Sequence, residues 1–311
     1  MELRQLRYFV TVVEEANFTR AAERLHLAQP GVSAQIRQLE RELGQPLLDR
    51  SGRTVRPTEV GAAVLPYARA ALAAVEGVRQ TAAQFGGLLR GRVAIGLVPG
   101  ALGHRMDVPA LLADFHDAHP QVEITLTEDT SDRMLTALRH GELDIAVAGL
   151  PDPEPAPGLA HRIVIDEPLV AVVAPGHPLL DGHRGRTSVP LAALRGHRLI
   201  SLPRGTGVRG VLDRLCAEAG FRPRVTCEAA APDALMRLAE RGLGVAVVPY
   251  RQGASGATTA PRGPRALRML RIDDVRARGR VAVVWRTDGP AGPAARAFLA
   301  ALREGLPGRD Q

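Results

Sequence analysis

Over residues 1–57 apolar side chains recur at helical spacing, with little of the alternation that marks strands. In LRQLRYFVTVVEEA, Leu3, Leu6, Phe9, Val10 and Val13 form one stripe. Asn17 or Thr19 offers an N-cap for a second helix, TRAAERL. Pro30 suits the first turn of a third, GVSAQIRQLERELG, whose Val32, Ile36, Leu39 and Leu43 share a face and which Gly44 stops. QPLLDRSGRTVRPT then reads as two short extended pieces about a Ser51-Gly52 turn.

Residues 58–89 predict one long helix. Val60, Val64, Tyr67, Ala71, Ala74, Val78, Ala82, Phe85 and Leu89 advance by alternating three- and four-residue steps, one step excepted, a narrow seam that calls for a partner helix, most simply from a second copy. Pro66 is expected to bend it. From about residue 92 strand-like runs (RVAIGLV, VEITLTE, LDIAVAG) alternate with helical ones (VPALLADFHDAH, SDRMLTALRHG). After PDPEPAPG, 151–158, the alternation resumes with HRIVI, LVAVVAP, RLISLP, VLDRLCAEAG, RVTCE, DALMRLAERG and VAVVP. A Gly/Arg-rich loop leads to ALRMLRI, RVAVVWR and a closing helix. The expected fold is α/β with an all-α N-terminal part, the α/β region forming two lobes joined by more than one crossover.

Composition narrows the class. With 45% hydrophobic residues and no apolar run of membrane-spanning length, the 311-residue chain reads as soluble and cytoplasmic. The charged start, MELRQLRYFV, is not expected to be a signal peptide. Net charge is +7 and all 40 basic residues are arginine, a usage that GC-rich coding accounts for. The basic excess per residue is greatest in the first 92 residues, which hints at a polyanionic partner.

Two helices joined by a short turn across residues 18–37, the second with one apolar face, make a helix-turn-helix arrangement. The opposite face of the second helix carries Gln29, Pro30, Ser33, Ala34, Arg37 and Arg41. Gln29 can pair with adenine, Pro30 can touch a thymine methyl, and Arg37 can reach guanine or phosphate. Arg50, Arg53 and Arg56 add a basic wing at phosphate-contact spacing.

Gly205, Gly207 and Gly210 spell G-x-G-x-x-G between an apolar run and a helix, and Glu228 ends the next strand-like run. This pattern raises an NAD(P)-dependent enzyme as an alternative. Pro203 and Arg204 intervene before the first glycine, and no second mononucleotide half follows. The glycines are more simply expected to turn backbone N–H groups at a helix N-terminus toward a cleft. No metal spacing, serine elbow or C-x-x-C occurs, so no catalytic residue, metal or cofactor is expected. Cys216 and Cys227 leave a redox-sensing regulator as a further alternative.

Residues 2–62 resemble the winged helix-turn-helix of the LysR-type transcriptional regulators. The resemblance rests on the run LRQLRYF, FTRAAERL, QPGVSAQIRQLERELG and QPLLDR and extends over essentially the whole chain. It implies a DNA-binding domain at 1–57, a linker and dimerisation helix at 58–89, and an effector-binding domain at 90–311. Lobe one would span about 90–162 and 269–305, and lobe two about 163–268. The implied partners are operator DNA, further copies of the chain as dimer or tetramer, RNA polymerase, and a small co-inducer between the lobes. Base-reading roles fall on Gln29, Pro30, Ser33 and Arg37. Ala34 stands where the family often has Arg or Lys, and Ala28 where it often has a capping Ser. The effector cleft would be lined by Pro99, Gly100, Ala101 and Leu102, then Thr130, Gly149, Arg204, Thr206 and Pro249. The first of these loops lacks the hydroxyl many relatives use for a carboxylate. His104 and Arg105 are further polar candidates.

Overall fold

A computed structural model describes residues 1–52, 54–84, 89–99, 107–154, 156–183, 185–250 and 267–305. The chain opens with α1 (Leu3–Glu15), α2 (Phe18–Arg24) and α3 (Gln29–Leu43). Asn17 caps α2, its Oδ1 accepting from the backbone N–H of Thr19 at 2.8 Å and of Arg20 at 3.1 Å. Val32, Ile36 and Leu39 of α3 are fully buried with Phe9 and Val12 of α1. Two two-residue strands, β1 (Leu48–Asp49) and β2 (Arg56–Pro57), pair antiparallel. The Asp49 carboxylate braces their turn, accepting from the Ser51 N–H and hydroxyl, which hold it below the usual carboxylate range.

Helix α4 runs Glu59–Gln84 with Pro66 inside it. The predicted seam divides. Val64 and Ala71 pack inward with Leu65, Ala68 and Leu72 on the N-terminal core, because α1 lies along that face. Val60, Ala74, Tyr67 and Val78 remain exposed, Tyr67 and Val78 by 79% and 70%. Phe85 lies outside the described residues, and Leu89, beyond the helix, packs on the next core.

Lobe one is built from β3 (Gly91–Leu97), α5 (Val108–Ala118), β4 (Val122–Glu128), α6 (Ser131–Arg139) and β5 (Ile145–Leu150). The strand β6 (Leu159–Val173) then crosses into lobe two. HRIVI and LVAVVAP are therefore one strand, not two. Pro168 is tolerated mid-strand because β6 changes partners there: residues 159–168 pair with β12, and 169–173 with lobe two.

Lobe two holds β7 (Ser188–Val189), β8 (Arg198–Ser201), α7 (Gly207–Glu218), β9 (Arg224–Glu228), α8 (Pro232–Glu240), β10 (Val245–Pro249) and β11 (Arg268–Ile272). The chain returns through β12 (Arg278–Arg286) and ends in α9 (Pro293–Gly305). The strand order is β4-β3-β5-β12-β6-β10-β8-β9, with β11 on β6 and β7 on β11. A return to lobe one at residue 269 is thus corrected. β11 pairs with residues 170–173 of β6 and buries Leu270 and Ile272 in the core of lobe two. Among the described residues no helix is long and apolar enough to cross a membrane.

Candidate functional site

The N-terminal domain presents α3 outward. With Val32, Ile36 and Leu39 buried, the helical period turns Gln29, Pro30, Ala34 and Arg37 to solvent, and Ser33 is half-buried. The Arg37 guanidinium has no hydrogen-bond or ion-pair partner among the described residues, so its charge is available. Ala28, at the N-cap, offers no side-chain acceptor. In the first turn of α3 the Gly31 and Val32 N–H groups donate to the Ala28 carbonyl at 3.0 and 3.4 Å, and Pro30 has no N–H to leave unsatisfied.

The wing is tied to this helix by a residue that charge counting overlooks. Glu40 on α3 is nearly buried, and its Oε1 accepts from the backbone N–H of Leu47 at 3.0 Å and of Leu48 at 3.2 Å. Its Oε2 accepts from Arg50 at 2.6 Å, and the Arg50 guanidinium also lies 5.2 Å from the Phe18 ring centre. Arg50, expected as a free phosphate contact, is therefore engaged within the domain, holding wing to helix. Arg53 lies outside the described residues; Arg56 is exposed on β2. In the sequence Glu40 carries only one signal, an acid one step beyond a buried Leu39.

Between the lobes, three of the expected cleft positions, Thr130, Gly149 and Thr206, gather around the start of α7. Gly205, with φ +83°, takes a left-handed conformation and accepts at its carbonyl from the Asp132 N–H at 3.0 Å, beside Thr130. Gly207 is buried against β5, where a Cβ would come within 2.5 Å of the Gly149 carbonyl carbon. Gly210 faces Pro151. The three glycines thus serve close packing of lobe on lobe. The expectation that this helix end opens its N–H groups onto the cleft is corrected at Gly207, because backbone meets backbone there.

Ser131, which sequence reasoning passed over, completes the joint: its buried Oγ accepts from the Gly149 N–H at 3.0 Å. Arg214 of α7 reaches back to Asp152 at 2.7 Å and to the Pro151 carbonyl at 3.1 Å. Thr130, Gly149 and Thr206 are brought together, with the Thr206 hydroxyl donating to the Pro203 carbonyl at 2.7 Å. Arg204 is exposed and has no hydrogen-bond or ion-pair partner among the described residues. Pro249 stands apart from this joint, at the end of β10 against Gly279 and Leu169 at the crossover. Pro99 is half-buried in a turn after β3; Gly100, Ala101, Leu102, His104 and Arg105 lie outside the described residues.

The cysteines are both free. Cys216 is fully buried in the lobe-two core, and burial, with Asp213 adding to it, pushes its thiol up to about 12. A thiol held protonated is a poor nucleophile, which argues against Cys216 as an oxidant sensor. Among the described residues no group of three or more metal-binding side chains occurs.

Comparison with known proteins agrees with this architecture. Residues 3–62 match the family described as bacterial regulatory helix-turn-helix protein, lysR family, and residues 86–307 match the LysR substrate binding domain. The chain is 36% identical to the HTH-type transcriptional regulator ShiR of Corynebacterium glutamicum over 81% of this chain and 84% of that one. It is 32% identical to the DNA-binding transcriptional dual regulator OxyR of Escherichia coli, over 80% and 79%. A full-length OxyR variant from Pseudomonas aeruginosa superposes with a TM-score of 0.67 at 27% identity, covering 98% and 97%. Full-length CbnR complexed with its target DNA superposes at 0.57 and 26% identity, covering 98% and 100%. The chain belongs to the LysR family and is a DNA-binding transcription regulator with a helix-turn-helix head and a two-lobed effector-binding domain.

Proposed function

We propose that the protein reads operator DNA with the outer face of α3 and switches transcription when a small co-inducer enters between the lobes. Gln29, Pro30, Ser33, Ala34 and Arg37 would face base edges, with Gln29 at the helix end that enters the major groove. Arg53 and Arg56 would contact phosphates, and Arg50 would act through the wing it holds. The observation that carries this reading is the pairing of a fully buried inner face on α3 with an outer face whose Arg37 is unpaired among the described residues.

The co-inducer would lie against Pro99 and its following loop, Thr130, Gly149, Arg204, Thr206 and Pro249. Arg204 supports an effector that carries an acceptor or a negative charge. Further copies of the chain would join along the exposed stripe of α4, and RNA polymerase and a cytoplasmic setting complete the reading. Its test is fluorescence anisotropy of the full chain on fragments of its own promoter against random duplex, at low and moderate salt. Tighter binding to one promoter fragment, weakened by Gln29→Ala, supports the proposal; binding indifferent to sequence overturns it.

A further inference from the structure

Lobe two has a second concave site, at the end of its sheet away from the cleft. β8 and β10 run parallel, and their carboxyl ends lead to Arg204 and Pro249. Their amino ends, with the edge strand β9, border a solvent-open hollow of about 540 Å³. Its wall carries His177, His197, Arg198, Thr226, Cys227 and Leu243, and among the described residues no acidic side chain lines it. The Arg198 guanidinium has no hydrogen-bond or ion-pair partner among the described residues. The imidazole rings of His177 and His197 stand 5.3 Å apart between centres. The Leu179 N–H donates to Nδ1 of His177 at 3.1 Å, which leaves the proton of that neutral ring on Nε2, as a donor.

We propose that this hollow binds a small organic acid, its carboxylates taken by Arg198 and the His177–His197 pair. A guanidinium fork fits a carboxylate with two parallel hydrogen bonds, and imidazole N–H groups supply further donors. Without a carboxylate of its own, the wall leaves that charge uncompensated until an anion enters. The volume exceeds what a bare inorganic anion fills and lies within the roughly 300–1,000 Å³ of small-molecule sites. Leu243 offers an apolar surface for a carbon skeleton. A ligand here would not compete for space with one between the lobes, since the two sites lie at opposite ends of the same strands.

Cys227 makes the proposal testable on the full-length protein. It forms part of the wall, whereas Cys216 is fully buried, so alkylation by neutral iodoacetamide reports on this hollow. Millimolar citrate, at ionic strength matched with sodium chloride, is expected to slow the modification of Cys227 about threefold or more, in proportion to occupancy. Arg198→Gln and, independently, His197→Gln should lose that protection and keep the citrate-free rate within about twofold of the parent. No protection of the parent by citrate overturns the proposal. So does equal protection in both variants, which signals general screening of a basic protein, and so does protection by inorganic phosphate with none by citrate.

Discussion

Gly207 at the start of α7 and Gly149 near the end of β5 meet backbone to backbone, and a Cβ on Gly207 would lie 2.5 Å from one Gly149 atom, 2.7 Å from the Leu150 nitrogen and 2.8 Å from the Gly149 oxygen. Main chain cannot yield as a side chain can. Gly207→Ala is therefore expected to part the lobes locally and to lower stability by about 1–3 kcal/mol, read from urea unfolding. Gly182→Ala, where added carbon meets open space, is the control and should change little. Equal effects from the two substitutions would contradict the packing role assigned to Gly207.

Glu40 joins wing to helix through two N–H groups and Arg50. Glu40→Ala leaves those donors without their acceptor and should cost about 1–3 kcal/mol. DNA affinity should fall on every sequence alike, since the wing loses its position rather than a base contact. Glu40→Gln, which keeps an acceptor oxygen, should be milder on both measures. A variant as stable as the parent and unchanged on DNA would remove Glu40 from this account.

Gln29→Ala should act differently. The loss is expected to be about 1–3 kcal/mol on the preferred promoter fragment and small on random duplex, measured by anisotropy at fixed salt. Equal losses on both would mean that Gln29 touches the backbone and not the bases.

Tyr67 and Val78 stand exposed on α4 while their neighbours pack inward. The double substitution Tyr67→Glu with Val78→Glu should reduce the mass in light scattering to that of a single chain, with the far-ultraviolet circular dichroism retained. An undiminished assembly would place the self-contact elsewhere.

Acid should weaken the fold before it reaches the carboxylate range. Burial lowers the proton affinity of His161 and, with His197 contributing, of His177. The unfolded chain then binds protons more readily than the folded one, so stability is held above about pH 6.5 and lost as pH falls through that value toward the lower folded ones. Tm is expected to drop between about pH 7.5 and 5.5, and His177→Gln should flatten the slope. A Tm that rises on acidification over that interval would show the reverse linkage.

Much of the fold was legible because helical and strand periods report which face is buried. The α2 cap, narrowed to Asn17 or Thr19, the start of α3 near Pro30, its end at Gly44 and the strands β3 and β4 all follow from local spacing. Choice of partner is another matter. ALRMLRI reads as a strand, yet nothing within it says that it pairs with β6 in lobe two and not with lobe one. Nor does the sequence show that β6 runs through Pro168, because the tolerance comes from a change of neighbour. The outer face of α3 was readable residue by residue. The use of three glycines to seat one lobe on another depends on chain segments far apart in sequence, whereas Glu40 and Arg50, close in sequence, meet only because the chain turns back between α3 and β1.

Helix α4 touches both halves of the molecule. Arg69 forms ion pairs with Glu14 of α1, at 3.8 Å, and with Glu142 after α6, while Gly77 rests on the Ala291 carbonyl. The same helix gives Leu65 and Ala68 to the N-terminal core. It is a shared girder, with no slack between reader and sensor along its described length. Anyone grafting this head onto another sensor should therefore carry α4 whole. A splice at residue 58 would strip the head of a wall, whereas one after Gln84 would sever only the helix's outer attachments to the body.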